Sequence, residues 1–114
     1  MAPDGVQQRR SHARRPLHCP AKLMLASKRI IDLRAVNIGA GGLGVIAPEN
    51  LAMGTSCQLR FDLPLAPGGH VTLYLSAEVM NSVFSSREDG FKLGLKFVKP
   101  TEESASHIER FVQG

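Results

Sequence analysis

Apolar and polar residues alternate with a period of two along most of this chain, the pattern of strands with one face buried and one face in water. Leu17 to Leu25 reads as a first strand, with Pro16 and Pro20 suited to an edge or a bulge. In the next run Ile31, Leu33 and Ala35 share one face and Asp32 and Arg34 the other. That run enters the glycine cluster NIGAGGLG, after which Leu43 to Ala47 forms a short strand closed by Pro48. From Cys57 to Leu63 the inward set is Leu59, Phe61 and Leu63. The loop PLAPGG then turns the chain into a strand whose inward face is Val71, Leu73, Leu75, Ala77 and Val79. A turn at SSREDG leads to Phe91, Leu93, Leu95 and Phe97.

The end of the chain changes period. Thr101 before Glu102 and Glu103 predicts a helix N-cap with acids in the first turn, and Ile108, Phe111 and Val112 recur at helical spacing. The expected fold is therefore all-β: a six-stranded antiparallel β-barrel, its strands in hairpin order, with a short C-terminal helix. The expected organisation is a flexible arm over residues 1–8 and one barrel domain over 9–114.

Composition narrows the function classes. A chain of 114 residues, 43% apolar, suits one domain. No run of about eighteen apolar residues predicts a membrane span and no apolar leader opens the chain, so the expected compartment is the cytoplasm. Cys19 and Cys57 fit no metal or redox spacing and read as reduced thiols. The net charge of +4 is concentrated, because Arg9, Arg10, Arg14 and Arg15 fall within seven residues and the rest of the chain is balanced. One concentrated cationic segment on a neutral body suits a localised anion site better than a broad duplex-binding face.

Gly39, Gly41 and Gly44 satisfy G-x-G-x-x-G, with Asp62 downstream, but the residues after Gly44 are VIAP, which cannot open the helix a dinucleotide fingerprint requires. The cluster reads instead as a turn whose glycines supply positive φ. His12, His18, His70 and His107 are scattered, with no metal spacing and no nucleophile pattern, so neither catalysis nor a metal or cofactor is expected.

Two segments resemble one family together. RRSHARRPL resembles the R-x-x-x-R motif that opens PilZ domains, with Arg10 and Arg14 as its arginines, and NIGAGG resembles their [D/N]-x-S-x-x-G, with Asn37 first and Gly42 last. FKLGLKFV and a helix ending in IERFV look like the family's closing strand and helix, so the resemblance runs from Arg9 to Val112. It implies a PilZ-like barrel that binds cyclic-di-GMP, with Arg10 and Arg14 as the main contacts, Arg9 and Arg15 as auxiliary ones, Asn37 on a guanine edge, and Gly39 and Gly42 in the ligand-facing turn. Arginine suits both halves of such a ligand, since its planar fork binds phosphate or guanine O6 and N7. Gly39 stands where the family usually has serine, and the strand ending Val79, Met80, Asn81 lacks an aromatic for base stacking. Signalling would come from ligand-induced ordering of the arginine segment, passed to a downstream protein effector, with neither membrane nor nucleic-acid polymer as partner. Two other functions fit the same residues: a PilZ-fold adaptor that binds no cyclic-di-GMP, and a small barrel binding single-stranded nucleic acid. One tyrosine, five phenylalanines and no tryptophan leave few stacking platforms for the latter.

Overall fold

The computed structural model describes residues 13–114. Six antiparallel strands form a closed ring: β1 (Arg14–Leu25), β2 (Ile30–Gly39), β3 (Gly42–Ala47), β4 (Ser56–Pro64), β5 (His70–Ser85) and β6 (Gly90–Phe97). A helix, α1 (Glu102–Gln113), follows. The ring order is β1-β2-β3-β6-β5-β4, two three-stranded meanders joined at the β1–β4 and β3–β6 seams. Four of the six neighbouring pairs are thus hairpins, and the connection from β3 to β4 crosses the barrel end instead of continuing the hairpin order. The arm over residues 1–8, with Arg9 and Arg10, lies outside the described residues.

The alternating residues named from the sequence build the interior. Ile31, Leu33, Ala35, Leu59, Phe61, Leu63, Leu73, Leu75, Ala77, Val79, Leu93, Leu95 and Phe97 are all buried in one core. Val71 and Phe91, at the strand starts, are only half-buried. Apolar area removed from water at about 25 cal/mol per Å² is the main force holding the ring together.

Every strand is longer than its alternating segment, most of all β5, which continues to Ser85. The cause is a β-bulge between Val79 and Asn81 that shifts the register against β6 and breaks the alternation. A second bulge between Ala35 and Asn37 does the same to β2 against β3. Along β1 the register against β2 shifts between Pro16 and Cys19.

Pairing of β1 with β4 begins only at Ala21, so the first half of β1 is bonded to β2 alone. Pro20, which has no N–H to donate, sits at that boundary, as proline should at a strand with one open side. Helix α1 lies against β1, β2 and β4 at this opening and contributes Ile108 to the core. Its N-cap forms as the sequence predicts, the Thr101 hydroxyl accepting from the Ser104 amide at 3.1 Å.

Candidate functional site

Arg14 opens β1 and Asn37 lies near the end of β2, and the antiparallel register brings the two together across the hairpin. Arg14 Nε donates to Asn37 Oδ1 at 2.8 Å, and Arg14 Nη2 donates to the Gly42 carbonyl at 3.3 Å. One guanidinium therefore spans from β2 to the first residue of β3. Partial burial pulls Arg14 below its ordinary pKa. Arginine's high intrinsic basicity leaves it cationic at neutral pH.

The glycines act differently from the expectation of a positive-φ turn. Among the described residues only Gly54 and Gly69 are glycines with positive φ, so Gly39, Gly41, Gly42 and Gly44 are not required for that reason. Gly42 and Gly39 are required by close approach of backbone, and Gly44 is covered by the Asn37 side chain. A Cβ on Gly42 would lie 2.2 Å from the Leu95 carbonyl oxygen, one on Gly44 would lie 2.7 Å from Asn37 Oδ1, and one on Gly39 would lie 2.8 Å from the Ala13 carbonyl oxygen. Gly42 is thus pressed against the β6 backbone, and its side-chain face is closed by that strand. A Cβ on Gly41 would meet nothing within 4 Å. The Gly39 position, where the sequence resemblance has serine, also has Arg14 Nη1 at 3.1 Å. A serine there needs the start of β1 to move.

Around this contact lies an open groove of about 430 Å³, lined by Arg14, Asn37, Gly44, Asn81, Lys92 and Lys96 among others. No carboxylate lines it, and neither lysine forms an ion pair among the described residues. Lys92 and Lys96 flank Gly94 at two-residue spacing, so the three share the outward face of β6. The groove is concave, cationic and floored by glycines, a shape that accepts a flat, anionic molecule lying on backbone.

Arg15 points elsewhere. Being next to Arg14 on a strand, it takes the opposite face, where Nη1 donates to the Phe111 carbonyl at 2.6 Å and the guanidinium lies 4.1 Å from the centre of the Phe111 ring. The structure therefore brings Arg14, Asn37, Gly39 and Gly42 together, and gives Arg15 to the C-terminal helix. Asn81, Lys92 and Lys96 were not singled out from the sequence. The glycine inside the alternating run FKLGLKFV was the available signal, since glycine within a strand marks a bulge or a close approach.

Among the described residues no group of histidine, cysteine and acidic side chains could hold a metal ion, and no helix is long and apolar enough to cross a membrane.

The family model described as PilZ domain matches residues 8–114. No curated protein matches the chain. Among solved structures, the chain is similar to the inhibitor of motility MotI/DgrA of Bacillus subtilis, with a TM-score of 0.77 and 17% identity over 89% of this chain and 48% of that one. It is similar to YcgR of Escherichia coli in complex with c-di-GMP, with a TM-score of 0.65 and 14% identity over 88% of this chain and 42% of that one. A third likeness is the PilZ domain of CeSA from a cellulose-synthesizing bacterium, with a TM-score of 0.62 and 20% identity over 89% of this chain and 95% of that one. The chain spans less than half the length of the first two. At these identities the likeness shows the fold.

Proposed function

This chain belongs to the PilZ domain family, and on that premise we propose that it is a cytoplasmic receptor module for cyclic-di-GMP that catalyses no reaction. The observation that carries the reading is the contact of Arg14 with Asn37 at the edge of a cationic, glycine-floored groove. The two motif halves, separate in sequence, meet where an anionic dinucleotide could be held by a guanidinium fork and a side-chain amide together. Arg10, with Arg9 beside it, would close over the ligand from the arginine segment, and Gly39 and Gly42 would shape the turn beside the ligand, their own side-chain faces being taken up by β1 and β6. Arg15 would enter as an auxiliary contact only by leaving Phe111. Ordering of the arginine segment on binding would change the surface offered to a downstream protein, with no membrane or nucleic-acid polymer involved.

A second reading is an adaptor of the same fold that binds no cyclic-di-GMP. It is favoured by Gly39, which leaves no hydroxyl where the family usually has one. A neutral hydrogen bond contributes about 0.5 to 1.5 kcal/mol, so that loss alone weakens binding by only about threefold to tenfold. Titration calorimetry separates the two, using cyclic-di-GMP with GTP and a linear diguanylate as controls, on the parent, Arg10→Ala and Arg14→Ala. Saturable heat for the cyclic ligand that both substitutions reduce supports the receptor; no heat from the parent at tens of micromolar supports the adaptor.

A further inference from the structure

The groove holds a second asparagine arranged like the first. Asn37 follows the β2 bulge and pairs with Gly44 on β3, while Asn81 follows the β5 bulge and pairs with Gly94 on β6. Gly44 and Gly94 are themselves cross-strand partners. A local two-fold axis between these glycines therefore exchanges Asn37 with Asn81 and one bulge with the other. Each amide leans over its own glycine: Asn37 atoms come within 2.7 to 3.0 Å of the missing Cβ of Gly44, and Asn81 atoms within 2.9 to 3.2 Å of that of Gly94. Cβ positions of directly opposite strand residues are about 5 Å apart, so the two amides lie side by side over a bare Gly-Gly floor.

Both amides present the same chemistry. The Asn37 oxygen accepts from Arg14 Nε, and the Asn81 oxygen accepts from the Gly94 amide at 3.1 Å. Neither Nδ2 group donates to a described residue, and both asparagines line the groove, so each keeps an NH₂ available for a ligand there. Two adjacent donors with no acceptor between them match the O6 and N7 acceptors of guanine, and oppose adenine, whose corresponding edge carries an N6 donor.

We propose that Asn81 is a base-reading residue of this site, donating with Asn37 to the acceptor edge of a guanine. This rests on the receptor reading above and adds to it a specificity contact made by hydrogen bonding. The adjoining Lys92 and Lys96 would then face the phosphates of the same ligand.

The test uses Asn81→Asp, which keeps an oxygen for the Gly94 N–H and turns the free donor into an acceptor. Calorimetry with cyclic-di-GMP on the intact chain should show the affinity falling at least tenfold, while the melting temperature without ligand stays within about 2 °C of the parent. In the parent, the Asn81 side-chain NH₂ resonances in a nitrogen-15 correlation spectrum should shift on saturation together with those of Asn37. If the parent binds but Asn81→Asp binds within twofold of it, or if the Asn81 resonances stay still while those of Asn37 move, the inference is overturned and the receptor reading stands. If the parent gives no heat at all, it is the receptor reading that fails.

Discussion

The Arg14 guanidinium holds the Asn37 side chain at 2.8 Å, joining the two ends of the first hairpin before any ligand arrives. A preformed contact of this kind fixes the rotamer of both residues and lowers the ordering cost of binding. Arg14→Ala should weaken cyclic-di-GMP binding by about 5- to 150-fold, the range of about 1 to 3 kcal/mol for a good guanine contact. Arg14→Lys should recover only part of this, because lysine lacks the fork that reaches Asn37 and Gly42 at once. Calorimetry on the three proteins checks the order.

Gly42 and Gly41 are neighbours with opposite tolerance. Gly42→Ala places a methyl group 2.2 Å from the Leu95 carbonyl oxygen on β6, and should destabilise the barrel by about 1 to 3 kcal/mol, whereas Gly41→Ala meets nothing and should stay within about 0.5 kcal/mol. Urea unfolding midpoints distinguish them. Equal stabilities would show that the β3–β6 seam relaxes freely at this point.

Arg15 anchors the helix to the half of β1 that β4 leaves unpaired. Arg15→Ala removes the bond to the Phe111 carbonyl and the stacking on its ring, and should cost about 1 kcal/mol of stability. Hydrogen exchange should rise first in the last turn of α1, around Phe111 to Gln113. Unchanged exchange there would show that the apolar contacts of Ile108, Phe111 and Val112 secure the helix without Arg15.

Cys57 is buried in the core, and desolvation pushes its thiol from the ordinary 9.0 up to about 11. A group that holds its proton more tightly when folded contributes its full stability below the unfolded value and loses it as pH rises through the folded one. Stability should therefore fall between about pH 9 and 11, by roughly 2 kcal/mol from this group. Cys57→Ala should flatten that part of the stability-versus-pH curve. Alkylation of Cys57 should stay slow until the protein unfolds, because the thiolate is the reactive form.

Much of the fold was legible because a two-residue period survives wherever a strand keeps one face inward. The inward residues of β4 and β6 could be read directly, as could the Thr101 cap. The period fails where a bulge adds a residue, which is why the last part of β5 and the displaced positions Val36 and Met80 were not marked by pattern. The motif residues Arg14 and Asn37 were legible through resemblance, and their contact follows from the β1–β2 register. The opposed direction of Arg15 follows from strand alternation, although a run of arginines reads as a single charge. Asn81 and the glycine opposite it are made neighbours by the pairing of β5 with β6. The pairing of Gly44 with Gly94 then joins the two asparagine–glycine pairs across a seam between segments far apart in the chain, and no local pattern encodes it.

The ring order has a kinetic corollary. Each meander can zip up from its own turns, but the seams β1–β4 and β3–β6 unite stretches tens of residues apart, and each must overcome its loop entropy before its own contacts form. The barrel should accordingly fold in milliseconds to seconds, with the rate set by the docking of two preformed halves. The groove straddles one of those seams, so it should be among the last parts of the molecule to mature.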